Sequence, residues 1–194
     1  MVKDAVRLTM LYGPYAVRMR FACGVPVYSV NALGAVTPGE VCQCINEALD
    51  LIRLNDAYRY RIVAQQVRIF LNRIDIAAAR YIPLRKVCAI DMEALRAMCN
   101  ELDIPRVPYC AALIIHEASH GYLLDRGIPH APRDRKRTEQ ICNRQAVKFL
   151  RTKLRIKARW VKIFELPIPA ARRRSVKEKW KLAMERIREI AKGS

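Results

Sequence analysis

At 194 residues with 52% hydrophobic side chains, the chain is long enough to bury one sizeable core and too apolar to stay unfolded. The formal charge of +18 is unevenly placed: residues 1–131 carry 15 basic and 12 acidic side chains, residues 132–194 carry 21 and 6. Seven scattered cysteines with no Cys-x-x-Cys pair argue against a structural zinc knuckle and fit core packing in a reducing, cytoplasmic compartment.

Residues 5–30 alternate arginine with apolar side chains (Val17-Arg18-Met19-Arg20-Phe21) and continue as Val25-Pro26-Val27-Tyr28, which predicts short strands. The uncharged stretch from Phe21 to Gly39 follows Arg18 and Arg20, as a targeting segment would. Pro26, Asn31 and three glycines favour a buried strand-and-turn segment instead. Thr37-Pro38-Gly39-Glu40 is a helix start: a capping threonine, proline in the first turn and glutamate to complete the box. Val41, Ile45, Leu49 and Ile52 then share one face, so a helix is expected over 38–53.

From Asp56 the pattern is mixed. Val67, Ile69 and Leu71 alternate with Arg68, Phe70 and Asn72, which predicts a strand. Ala77 to Tyr81 and Arg85 to Ile90 suggest two more, broken at Pro83. Asp91 can cap a helix running to about Leu102, and Ile104 to Pro108 reads as an extended linker.

The next stretch, Ala111 to Leu124, contains His116-Glu117-Ala118-Ser119-His120. Five apolar residues lead into it, Pro108 suits a first helical turn and Gly127 suits the position past the end. On a helix, residues four apart share a face, so His116 and His120 can address one metal ion. Two neutral imidazoles suit Zn²⁺, and Glu117 can reach a water on that ion without binding it. A carboxylate so placed accepts the water's proton and returns it to a leaving amine. The competing reading, a core helix with two satisfied histidines, has to bury two imidazoles and a carboxylate together, which is costly without a partner.

A catalytic zinc site takes three protein ligands and leaves one position for water. Two side chains can supply the third. His130 lies in a proline-flanked loop, and Glu139 lies on a helix expected to begin near Arg135. Asn143, one turn after Glu139, shares its face and can hold a ligand histidine by hydrogen bonding. Glu139 can also serve simply as an ion-pair partner of Arg135 or Arg137.

His116-Glu117-x-x-His120, eighteen residues, then Glu139-Gln140-Ile141-Cys142-Asn143 resembles the gluzincin metallopeptidases, including their compact minigluzincin domains. The resemblance covers about residues 67–150. It implies zinc ligands His116, His120 and Glu139, Glu117 as general base, and a peptide or protein substrate laid along an edge strand. That strand is expected at about Ala77–Tyr81 or Lys86–Ile90. It also implies a Tyr or His that stabilises the oxyanion, for which His130, Tyr122 and Tyr81 are the available residues. Asn143 stands where thermolysin-like enzymes usually have Asp. The Gly-Ala-Met-Glu-Asn motif of aminopeptidases is absent, so an endopeptidase is expected. The metzincin pattern would need His where this chain has Arg126.

Leu154 to Trp160 alternates strictly, which fits a strand with one basic face, with an extension of the preceding helix as the alternative. Ser175-Val176-Lys177-Glu178 is a second capping box, and Val176, Trp180, Met184 and Ile187 mark a final amphipathic helix. Basic clusters at Arg133–Arg137, Arg151–Lys162 and Arg172–Arg174 read either as a solvated, arginine-rich surface or as a contact for polyanions, nucleic acid or an anionic membrane surface, within residues 132–194. Trp160 and Trp180 suit stacking on bases or anchoring at such a surface.

The expected architecture is α+β: a small mixed sheet packed on an active-site helix and a glutamate helix within residues 1–150, then a basic helical extension over 151–194. The expected activity is zinc-dependent peptide hydrolysis. The alternative is a non-catalytic protein of the same fold that binds polyanions through its basic third.

Overall fold

The computed structural model describes residues 18–29, 36–73, 79–101, 103–128, 134–156 and 161. The N-terminal alternation forms a hairpin. Strands β1 (Arg18–Ala22) and β2 (Val25–Ser29) pair antiparallel, from Arg18↔Ser29 to Ala22↔Val25. Cys23 and Gly24 join them with φ of 47° and 79°. Two successive positive φ values give a two-residue loop the twist its strands need, and Gly24 takes that conformation without steric cost.

Helix α1 (Pro38–Asn55) begins as its sequence dictates. The Glu40 N–H donates to Thr37 Oγ1 at 3.2 Å, and the Thr37 N–H donates to Glu40 Oε2 at 2.7 Å. Val41, Ile45, Leu49 and Ile52 are all buried, joined by Cys44 and Ala48. The mixed segment that follows is a helix, α2 (Ala57–Gln66), capped by Asp56, which accepts from the Arg59 N–H at 3.0 Å. Its buried residues are Arg59, Val63 and Gln66, so no apolar stripe announces it.

Strands β3 (Ile69–Asn72), β4 (Ala79–Ile82) and β5 (Val87–Ile90) complete a five-stranded sheet of order β1-β2-β3-β5-β4. β3 lies parallel to both neighbours, while β4 lies antiparallel to β5 with Tyr81 opposite Cys88. All four residues of β3 are buried, so the predicted alternation does not separate a wet face from a dry one. Phe70, Cys88 and Ile90 face the helical core, and Ile69, Leu71, Val87 and Ala89 form a second apolar layer with Tyr28. A central parallel strand is covered on both faces, which is why polar–apolar alternation is a poor guide to it. Of the two strands considered for the sheet edge, Ala79–Ile82 occupies it and Val87–Ile90 lies inside.

Helix α3 (Met92–Glu101) starts at Asp91, whose carboxylate accepts from the Ala94 N–H at 2.8 Å. The linker after it is shorter than expected, because helix α4 (Arg106–Leu124) already includes Pro108 in its first turn. α4 is buried continuously from Tyr109 to Gly121 and again at Leu123, as befits a helix that is apolar on every side. It ends before Gly127, which has φ of 75°. Helix α5 (Arg135–Lys148) packs on α4 through Thr138, Cys142 and Ala146, and continues as a π-helical turn over Phe149–Lys153.

The strand predicted from Leu154 is not present in residues 154–156. The Ile156 N–H instead donates to the Leu150 carbonyl at 3.0 Å, and Leu154 and Ile156 pack on the core directly. Their alternation is satisfied by one-sided burial without a pairing strand. Core packing runs on to Val161. The rest of the basic extension, its capping box at Ser175 and its two tryptophans lie outside the described residues. The described residues thus form an α+β fold, a mixed sheet carrying five helices. No helix among them is long and apolar enough to cross a membrane, and the seven cysteines are free.

Candidate metal centre

Two helices bring three donors together. α4 supplies His116 and His120, one turn apart, and α5 supplies Glu139. His116 Nε2 lies 3.1 Å from His120 Nε2. Glu139 Oε2 lies 3.2 Å from the first and 3.6 Å from the second. Four donors arranged tetrahedrally at metal bond lengths of about 2.0–2.2 Å stand roughly 3.3–3.6 Å apart. The observed edges of 3.1, 3.2 and 3.6 Å come close to one face of that tetrahedron, so the residues present fit a metal ion. Both histidines are buried, and Glu139 has 17% of its side chain exposed, which leaves the site an approach from solvent.

The electrostatics agree with a site built for a cation. Burial opposes charge on His116, yet the Glu139 carboxylate, with Glu117 and Asn143, raises its pKa above the ordinary value. Burial likewise works against ionised Glu139, but its bonds to the two imidazoles prevail and hold its carboxyl well below the usual range. The geometry asks for positive charge between these three atoms. A divalent ion would supply it.

Glu117 sits in the same helix and points elsewhere. It is buried to 5% exposure, and that burial pushes its carboxyl up, against the pull of His116 and His120. The backbone N–H of Tyr81, on edge strand β4, bonds to this carboxylate and steadies its charged form. The motif glutamate therefore lies between the histidines and the sheet edge.

The Tyr81 side chain from β4 lies against α4 at Gly121, the residue after His120. A Cβ built there would lie 2.5 Å from Tyr81 Oη and 2.7 Å from Gln66 Oε1. The Tyr81 hydroxyl donates to the Gln66 carbonyl at 3.1 Å, and burial pushes its pKa up to about 12. Gln66 in turn donates to Asp125 at 2.8 Å, just past the end of α4. Gly121 was open to notice in the sequence as a glycine inside an apolar helix, which signals a close neighbour. Tyr81 and Gln66 carried no local signal.

The oxyanion candidates separate. Tyr122 lies on the opposite side of α4 from the histidines, with its hydroxyl 3.3 Å from that of Tyr58 and Arg126 stacked 4.0 Å from its ring. Tyr81 stands beside Glu117, although its hydroxyl is engaged with Gln66. His130, the other candidate for third ligand, lies outside the described residues. Arg135 comes within 4.0 Å of Glu139 Oε1, while Oε2 is the oxygen that approaches the histidines, so an ion pair with Arg135 does not take the oxygen that faces them. Asn143 lies close enough to His116 to favour its protonated form. Two buried thiols, Cys88 on β5 and Cys142 on α5, feel the charge of Glu117 and are held neutral chiefly by burial.

No family model matches the sequence, no curated protein matches it, and no solved structure matches its fold.

Proposed function

We propose that this chain is a zinc-dependent endopeptidase, with His116, His120 and Glu139 holding the ion and Glu117 acting as general base. The observation that carries the reading is the convergence of Nε2, Nε2 and Oε2 at 3.1–3.6 Å, with a separate buried carboxylate on the same helix. When bound, zinc supplies Lewis-acid polarisation and lowers the pKa of a coordinated water to about 7. Glu117 takes the proton from the attacking water and delivers it to the leaving amine. A carboxylate raised by burial is a stronger base than one in water, which suits this task near neutral pH. The Tyr81 N–H orients it.

Strand β4 pairs with β5 on one side, and among the described residues nothing pairs with its other edge. An extended peptide can add there by backbone hydrogen bonds, which brings its carbonyls past Glu117. The resemblance to gluzincins supports the same placement.

The test combines metal analysis with a peptide library. Wild-type protein should hold about one zinc per chain and cleave peptides internally. Glu117→Gln should keep the zinc and lose roughly 10²-fold or more of the activity. Zinc-loaded wild-type protein that cleaves nothing in a broad library would remove the peptidase reading.

A further inference from the structure

The glutamate helix has two faces with different tasks. Its inner face carries Thr138, Cys142 and Ala146 into the core and turns Glu139 toward the histidines. Its outer face is of one charge. Between residues 134 and 156 the exposed charged side chains are all basic, among them Lys136, Arg137, Arg144, Lys148, Arg151 and Lys153. The two acids in that stretch, Asp134 and Glu139, are partly buried. At about 100° per residue, Arg137, Arg144 and Lys148 fall within roughly 40° of one another, opposite the buried face, and span about 16 Å of helix.

We infer that this face of α5, continued through the π-helical turn, binds the phosphodiester backbone of nucleic acid. A row of like charges on a rigid helix is complementary to a row of phosphates, and binding there is driven by release of condensed counterions. Other anionic partners fit less well. An interfacial membrane helix needs a free apolar face beside its basic one, whereas the apolar side of α5 is spent on the core. Among the described residues the exposed large apolar side chains are Phe21, Leu54, Tyr58, Leu84 and Ile128, none of them on α5. A protein partner would in turn want a buried aromatic or aliphatic anchor, and this face offers none. The inference stands apart from the metal reading, since none of these basic side chains is a ligand or the base.

The test uses the full chain and fluorescence anisotropy with labelled 20-mers of duplex DNA, single-stranded DNA and RNA, at salt from about 50 to 200 mM. Vesicles of phosphatidylcholine with phosphatidylserine run in parallel by sedimentation. Arg137→Gln/Arg144→Gln/Lys148→Gln is compared with Arg53→Gln/Arg61→Gln/Arg68→Gln, which removes the same charge from exposed positions on and after α1 and α2. Far-ultraviolet circular dichroism checks that both remain folded. For the α5 variant we expect at least a tenfold loss of affinity and a salt slope on duplex DNA shallower by about 2–3, near 0.9 per lost phosphate contact. The control should keep the wild-type slope. Equal loss in both variants would mean attraction to net charge alone and overturn the inference. So would wild-type affinity in the α5 variant, binding to vesicles without binding to nucleic acid, or no binding at 50 mM salt.

Discussion

Gly121→Ala sets two opposed effects against each other in the middle of α4. In an exposed helix this change stabilises by about 1 kcal/mol, because alanine is the better helix former. Here the new methyl would lie 2.5 Å from Tyr81 Oη, 2.6 Å from Tyr81 Cζ and 2.7 Å from Gln66 Oε1. Real carbon contacts do not come so close, so the Tyr81 ring and the Gln66 amide, which are tied to each other and to Asp125 by hydrogen bonds, have to move. Overpacking of this kind costs about 1–3 kcal/mol, and displacing Tyr81 also weakens its hydrogen bond to the Gln66 carbonyl, worth about 1 kcal/mol. The steric side prevails, for a net loss of about 1–3 kcal/mol. In a chain of this size that lowers Tm by roughly 2–12 °C. The assay is thermal unfolding followed by circular dichroism, with Gly121→Ala/Tyr81→Ala as the second arm. The double variant should lose less than the sum of the singles, because truncating Tyr81 removes two of the three collisions. A Tm that rises in Gly121→Ala would refute the reasoning, since it would mean that β4 does not press on α4 at this point.

His120→Ala and Glu139→Ala should each lose zinc by elemental analysis, whereas His130→Ala should keep it; the opposite pattern for Glu139 and His130 would move the third ligand to His130. Arg59→Met should destabilise by about 3–5 kcal/mol in chemical unfolding, because the buried Asp56 loses its ion-pair partner and Gln145 on α5 loses a donor 2.9 Å away. Adding Asp56→Asn should recover part of that loss, and failure to recover any would assign the effect to Gln145 alone. In metal-free protein, the His116 pKa raised above 6.5 contributes stability that is present below that value and fades as pH rises through the folded pKa. The Glu139 pKa depressed below 4.5 contributes stability present above that value and lost on further acidification. His116 and Glu139 together should therefore stabilise metal-free protein most between about pH 4.5 and 6.5, while Glu117, raised by burial, withdraws stability as pH climbs from 4.5 through its folded pKa. Zinc needs neutral imidazoles, so its stabilising effect should grow over the same rise in pH; parallel Tm–pH curves with and without zinc would contradict this.

Local chemistry made much of this molecule legible in its sequence. The capping box of Thr37 and Glu40, the Asp91 cap, Pro108 in a first turn and the positive-φ Gly127 are all short-range devices, and each stands where its residues imply. The shared face of His116 and His120 follows from helical period alone. Tertiary structure decided the rest. α2 was hidden because its buried residues include an arginine and a glutamine, which only packing against α4 and α5 can satisfy. Which strand lies at the sheet edge is a matter of pairing order, and Val87–Ile90 and Ala79–Ile82 look alike until β3 takes one of them as its neighbour. The alternation after Leu154 is the same in a strand and in a segment lying with one side on a core, and the core was there to receive it. Glu139 was one of two candidates for the third donor in the sequence, beside His130. It became the third donor because α5 docks on α4 through Thr138, Cys142 and Ala146, and that docking sets the carboxylate within reach of both imidazoles. Sequence specifies periodicities and caps because these act over one helical turn; the meeting of residues nineteen positions apart is fixed only when two helices pack.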